Sequence, residues 1–305
     1  FLNKRGKDYD VVYCTMPTSL SAYFCSEYCK KKKKKLVIDV IDLWPESFIV
    51  LSRFKILFKI LTYPWFLISR ITYSRANILI AESKKYAEYA QRFNSKAIAL
   101  PIYLGVNMEK AKKLREKSNI ILNKSKDEIW ICYGGILGLS YNFDIILSTF
   151  KEISRNYKKN IKLFFIGGGQ LEDYIKGFAK ENKLDIVVTG NMHYPDFLKY
   201  MSYMDIAINS FKKDTQVVHS YKFNDYIVSG LAIVNNLKGE TEDLINEYKI
   251  GLNFDYESNS MQDCLEKLIT DNKYRENCKH QTINVAQNVL SQDIIYKELI
   301  DLILK

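Results

Sequence analysis

Histidine is scarce in this chain, with three residues in 305, and the six cysteines (Cys14, Cys25, Cys29, Cys132, Cys264, Cys278) form no C-x-x-C pair. Zinc sites need clustered thiolates and imidazoles, so a dedicated zinc centre is not expected. Scattered thiols read as buried or idle groups in a reducing cytoplasm. Long apolar runs are missing too. Without about 18 consecutive uncharged apolar residues, no segment is expected to span a bilayer, and the opening residues show no cleavable signal pattern. Acid is the minority charge, 35 Asp+Glu against 45 Lys+Arg, for a net charge of +10. Such a surface suits nucleic acid, an anionic membrane or phosphorylated ligands. No zinc-finger or RNA-binding signature accompanies the basic excess, which argues against nucleic acid.

What the chain does have is core material: 47% of its residues are hydrophobic and 13% aromatic. That composition and the length point to two domains. Short apolar runs alternate with helical patterns, as in parallel β-α-β construction. The runs at 10–14, 36–41, 78–81 and 96–100 are four strand candidates of a first domain, and residues 50–75 read as a long aromatic and basic helical region interrupted at Pro64. The charged stretch 107–127 reads as a domain boundary. Beyond it come strands at 129–133, 163–166, 186–188 and 206–208, with helices near 142–157, 261–271 and 283 to the end. The expected fold is α/β, two Rossmann-like doubly wound domains facing a cleft. The first covers 1–107, the second 108–285, and a last helix at 286–305 crosses back to the first. Four strands are few for the first domain, and Phe1 to Lys7 resembles the tail of a helix; the expectation is a first domain that lacks its start.

Chemistry concentrates at strand ends of the second half. Gly134-Gly135-Ile136-Leu137-Gly138-Leu139-Ser140 follows a strand and precedes a helix, an arrangement whose amides can approach phosphate. Gly167-Gly168-Gly169 follows the next strand, and there Gly168 and Gly169 read as structural turn residues. The segment from Lys222 to Val234 reads as an amphipathic helix, a glycine stop and a buried strand. Lys222 is placed to neutralise phosphate. Asp225 is placed to accept bonds from both ribose hydroxyls, or simply to favour the helix dipole.

The order of strand, G-x-x-G loop, F-I-G-G-G, V-V-T-G-N, D-I-A-I-N-S and K-F-N-D-Y-I-V-S-G-L-A-I-V resembles the nucleotide-binding half of GT-B glycosyltransferases. More narrowly, the chain is similar to the retaining family-four enzymes of bacterial surface polysaccharides. Y-D-V-V-Y-C-T-M-P, D-L-W-P-E-S and A-N-I-L-I-A-E-S match landmarks of the first domain, the second of these in O-antigen and capsule enzymes. The resemblance implies that Gly135, Ile136, Leu137, Gly138 and Leu139 cradle a diphosphate, together with Gly167, Ser220 and Lys222. It further implies that Asp225 holds the ribose and that Asn191, Met192 and His193 flank the base. Two departures stand out. Val217 sits where many relatives have a first Glu, eight residues before Asp225, and Leu139, Ser140 and Tyr141 supply no cation beside the glycine loop.

The same resemblance implies a metal-independent retaining hexosyltransferase with no cofactor, the nucleotide-sugar (a UDP-sugar) being a substrate. Charge on the departing diphosphate is then the group to stabilise, by Lys222 and the loop amides. Asp42 and Glu46 are candidates to orient the acceptor or take its proton. For Asp42 the competing reading is a cap of the Trp44-Pro45 turn. His219 is a further candidate near the donor. Expected partners are the donor, a lipid-linked glycan and an anionic membrane surface, with the protein cytoplasmic or peripheral on the inner face of the plasma membrane. The basic amphipathic segment 51–73 and Lys30 to Lys35 motivate the last point. Rival readings are a non-catalytic GT-B subunit, a basic RNA-binding protein and a sugar epimerase of similar build.

Overall fold

The computed structural model describes residues 9–304 other than 47–48, 50–53, 158–160, 214, 216, 218–219 and 257–259. The chain divides into two compact units, Phe1–Leu104 with Ile295–Lys305, and Gly105–Ile294.

The first unit contains β1 (Val11–Met16), α1 (Ser19–Lys32), β2 (Lys35–Val40), α2 (Lys55–Leu61), α3 (Tyr63–Arg75), β3 (Ile78–Ala81), α4 (Lys84–Gln91) and β4 (Ile98–Pro101). The strands form a parallel sheet in the order β1-β2-β3-β4. Near-continuous apolar strands such as Ile78-Leu-Ile-Ala81 suit this arrangement, because both faces of a parallel sheet are covered. Val37, Ile78 and Ile80 form the centre of one face, and Leu299, Leu302 and Ile303 pack on them. The region expected as one helix interrupted at Pro64 is two, parted at Thr62, with Pro64 in the first turn of α3, where its missing N–H costs nothing.

The second unit contains α5 (Met108–Arg115), β5 (Ile129–Gly134), α6 (Phe143–Asn156), β6 (Ile161–Ile166), α7 (Glu172–Asn182), β7 (Ile186–Val188), α8 (Tyr194–Met201), β8 (Ile206–Asn209), α9 (Tyr221–Val228), β9 (Ala232–Asn235), α10 (Glu240–Tyr248), β10 (Gly251–Asn253), α11 (Ser260–Thr270) and α12 (Asn272–Asn288). The last helix, α13 (Gln292–Leu304), supplies the residues on the first sheet. Part of the charged stretch expected as a boundary is helix α5, started by Asn107, whose Oδ1 accepts the Lys110 amide at 2.8 Å. Helix α6 has the clearest amphipathic stripe: Phe143, Ile146, Leu147, Phe150 and Ile153 are buried against the sheet.

The second sheet runs β10-β9-β8-β5-β6-β7 and is parallel throughout. Its order reverses between β5 and β8. These two strands pair only at Ile131↔Ile206 and Cys132↔Ala207. Crossovers leave on opposite faces at such a reversal, so a crevice opens beyond the carboxyl ends of the two strands.

Candidate functional site

Helix α9 lies over this reversal, and Tyr226 fills the gap. Its hydroxyl accepts the Gly134 amide at 3.1 Å and donates to the Ile208 carbonyl at 3.0 Å, bridging β5 to β8. Lys222 lies one turn earlier on the same helix face. Its stem crosses Gly135, where an added Cβ would sit 2.8 Å from Lys222 Cε and where φ is +120°. The positive φ is what calls for glycine there, since a flexible lysine tip can give way. Lys222 Nζ lies 3.5 Å from the Tyr141 ring centroid, 5.3 Å from Tyr133 and 5.5 Å from Phe211. The rings are held from behind. Asn236 Oδ1 accepts the Phe211 amide at 2.8 Å, Asn236 Nδ2 donates to the Phe211 carbonyl at 2.9 Å, and Tyr133 donates to the Ile136 carbonyl at 2.8 Å.

Burial lowers the Lys222 pKa from 10.5 to about 7, with Asp225 pulling the other way. That fall corresponds to about 5 kcal/mol against the charged form. Ring faces return about 0.5–2 kcal/mol to a cation. The aromatic surround therefore offsets only part of the burial cost, and an arriving anion is the natural source of the rest.

The glycine loops interlock. The Gly135 amide donates to the Ile166 carbonyl at 2.8 Å, the Leu137 amide to the Gly168 carbonyl at 3.0 Å, and the Gly167 amide to Thr189 Oγ1 at 3.1 Å. Two of the expected phosphate contacts make bonds within the protein. Leu137 is fully buried core with its amide turned to the protein, and Gly167 is a packing glycine: a Cβ there would lie 2.2 Å from the Gly135 carbonyl oxygen, at φ +140°. The amides of Ile136, Gly138 and Leu139 have no acceptor among the described residues, and the Ile136 and Leu139 side chains are exposed.

Asp225 accepts a hydrogen bond from the Tyr194 hydroxyl at 2.6 Å on Oδ1. One carboxylate oxygen thus already accepts a hydrogen bond within the protein. Burial raises the Asp225 pKa, opposed by Tyr194 and by Lys222. Tyr194 itself stacks on Phe197, with centroids 6.0 Å apart and ring planes 15° apart. Asp225, Tyr194, Tyr221 and Asn224 line a pocket of about 350 Å³ together with Asn107 and Lys110.

Ser220 also bonds inward. It is 3% exposed and donates to Asn209 Oδ1 at 3.2 Å, so it secures the start of α9 from inside. Asn209 passes this on, with Nδ2 donating to Asn235 Oδ1 at 2.8 Å and Asn235 Nδ2 donating to Asn253 Oδ1 at 2.7 Å. The ladder ties the ends of β8, β9 and β10 together. Asn191 is exposed beside Gly168, Met192 is half-buried, and His193 precedes α8, its carbonyl accepting the Phe197 amide at 3.0 Å. His219 lies outside the described residues.

In the first unit, Asp42 Oδ1 accepts the Leu43 amide and Oδ2 accepts Trp44 Nε1, both at 2.7 Å. Both oxygens hold the turn, the alternative reading of this residue. Glu46 Oε1 accepts the Tyr89 hydroxyl.

A family model described as glycosyl transferases group 1 matches residues 114–285, more than half of the chain. The chain belongs to the glycosyl transferases group 1 family. The matched stretch contains both glycine loops, α9 and the asparagine ladder. An uncharacterized glycosyltransferase of Methanocaldococcus jannaschii is 26% identical over 246 residues, which is 77% of this chain and 62% of that protein. The chain thus spans less than two thirds of that relative's length. Among solved structures, the sucrose-phosphate synthase of Thermosynechococcus elongatus superposes with a TM-score of 0.70 at 15% identity, covering 99% of this chain and 74% of that one. Anabaena HepE in complex with UDP gives 0.71 at 14% identity, covering 98% and 79%. WaaG, a glycosyltransferase involved in lipopolysaccharide biosynthesis, gives 0.60 at 12%, covering 90% and 79%. Likeness at such identities carries the fold, two Rossmann-like units as in GT-B glycosyltransferases, and no more.

Proposed function

We propose that this group 1 glycosyltransferase moves a sugar from a nucleotide-sugar, a UDP-sugar, to a lipid-linked or polysaccharide acceptor in bacterial surface glycan synthesis, with retention at the anomeric carbon. The observation that carries the reading is Lys222 in its aromatic surround at the reversal of the second sheet, beside the amides of Ile136, Gly138 and Leu139. UDP and UDP-glucose complexes of HepE support the donor class by analogy. In this reading a diphosphate restores the Lys222 ammonium and lies against the three amides. As the anomeric bond loosens, negative charge builds on the departing diphosphate and Lys222 stabilises it. Asp225 accepts a ribose hydroxyl on the oxygen that Tyr194 leaves open. Asp42 and Glu46 are the candidates for the acceptor side and His219 for the donor side, and no metal or cofactor is assigned a role. The protein works in the cytoplasm, peripherally on the inner membrane face.

The test is release of nucleotide from a panel of nucleotide-sugars, with and without membrane lipid acceptors. Absence of both binding and turnover across the panel rejects the proposal. A second reading, a donor-binding subunit that does not transfer, draws on Asp42, whose two oxygens are both occupied within the protein. It predicts donor binding without nucleotide release under any acceptor.

A further inference from the structure

Helix α2 buries none of its seven residues. Phe54, Ile56, Ile60 and Leu61 are 69, 80, 66 and 67% exposed. Helices this short are marginal alone, so packing normally holds them. Exposure continues along α3 as Tyr63, Leu67 and Ile71, four residues apart on one face. Ile71 also lines a pocket of about 900 Å³ whose cations are Lys30, Lys33, Lys34, Lys35 and Arg75. Two carboxylates answer them: Asp10, 3.4 Å from Lys34 and almost wholly exposed, and Glu27, 2.5 Å from Arg75. Between Glu46 and Glu82 the chain has no acidic residue and five basic ones, Arg53, Lys55, Lys59, Arg70 and Arg75.

Lysines at the end of α1 favour its dipole, which accounts for Lys30 to Lys32. It does not account for a concave site that adds Lys33 to Lys35 and Arg75 and has an apolar stripe leading into it. A second copy of the chain would bring like charge against like charge. A surface that is apolar, free of acid and next to a cationic pocket is complementary to a bilayer with anionic headgroups.

We propose that this face of the first unit docks on an anionic membrane, α2 entering the interface and the Lys30/Lys33/Arg75 pocket holding a phospholipid phosphate. The proposal deepens the peripheral-membrane part of the function proposed above and rests on it, but its test needs no sugar transfer. Vesicles of phosphatidylcholine alone, or mixed with phosphatidylglycerol, are floated with the full chain. Flotation is expected only with the mixed vesicles and weakens with salt. Ile56→Asp with Ile60→Asp abolishes it, and Lys30→Glu with Lys33→Glu lowers affinity about tenfold or more. Lys112→Glu with Lys180→Glu, the same charge change in the second unit, leaves it within about twofold. All six positions are exposed, so folding is expected to survive.

Any of three results overturns the proposal: no flotation with phosphatidylglycerol, full flotation of the Ile56/Ile60 variant, or equal loss in both lysine pairs. An acidic protein partner would appear as the first of these. UDP binding, measured by calorimetry on the same variants, keeps the two proposals apart: flotation without UDP binding rejects the donor reading alone, and UDP binding without flotation rejects this one alone.

Discussion

The carboxyl ends of the two sheets treat their charged residues in opposite ways. In the first unit Asp42 spends both oxygens on its own turn, and Glu46 accepts from Tyr89. In the second, Lys222 is half-buried among three rings at a cost that the protein only partly offsets, and Asp225 shares one oxygen with Tyr194. Satisfied groups hold a fold; a cation kept at a cost beside free amides suggests a ligand. The contrast is why the proposal puts anion binding in the second unit, and it leaves acceptor chemistry in the first without a matching observation.

Lys222→Met breaks the contrast most severely. Turnover should fall by about 10²–10³-fold, the usual cost of losing one preorganised charge-stabilising group. Stability should hold or rise, because a half-buried cation is removed. Gly167→Ala comes next. Its Cβ has no room against Gly135, so unfolding by denaturant should show a loss of about 2–4 kcal/mol, with UDP binding impaired by the displaced loop. Gly177 in α7 has nothing within 4 Å of an added Cβ, and Gly177→Ala should instead stabilise by about 0.5–1 kcal/mol.

The two aspartates sharpen the comparison. Asp42→Asn should cost about 1–2 kcal/mol of stability and leave UDP affinity unchanged, as expected for a turn. Asp225→Asn should do the reverse, weakening UDP about tenfold with little effect on stability, since burial already disfavours its charge. Loss of turnover in Asp42→Asn at unchanged stability would restore Asp42 as a base. The smallest effect is expected from Tyr194→Phe. It frees one Asp225 oxygen, and UDP affinity read by calorimetry should change by about threefold to tenfold.

Much of the second unit was legible in the sequence because its strands are short apolar runs ended by glycine, as at Tyr133-Gly134-Gly135 and Ile166-Gly167. Lys222 and Asp225 stood out through spacing. Their surroundings did not. Tyr141, Phe211 and Tyr133 come from three separate segments, and only the fold brings them to one ammonium. Tyr194 meets Asp225 across 31 residues, which no local pattern encodes. Helices α8 and α10 and strand β10, of eight, nine and three residues, were missed because each is too short to show a clear period. The turn role of Asp42 was foreseen because D-x-W keeps donor and acceptor within three residues.

The central claim is that Lys222 holds the donor diphosphate, and proton linkage tests it most directly. With a free-state pKa of about 7, Lys222 is mostly neutral at pH 8 and charged at pH 6. A bound diphosphate raises that pKa, so binding takes up a proton where the free amine is neutral, and affinity falls as pH rises above 7. UDP titrated by calorimetry at pH 8, in buffers of different ionisation enthalpy, should show uptake of close to one proton, about 0.9, by the wild type and none by Lys222→Met. Absence of uptake in the wild type, or equal uptake by the variant, would contradict the account.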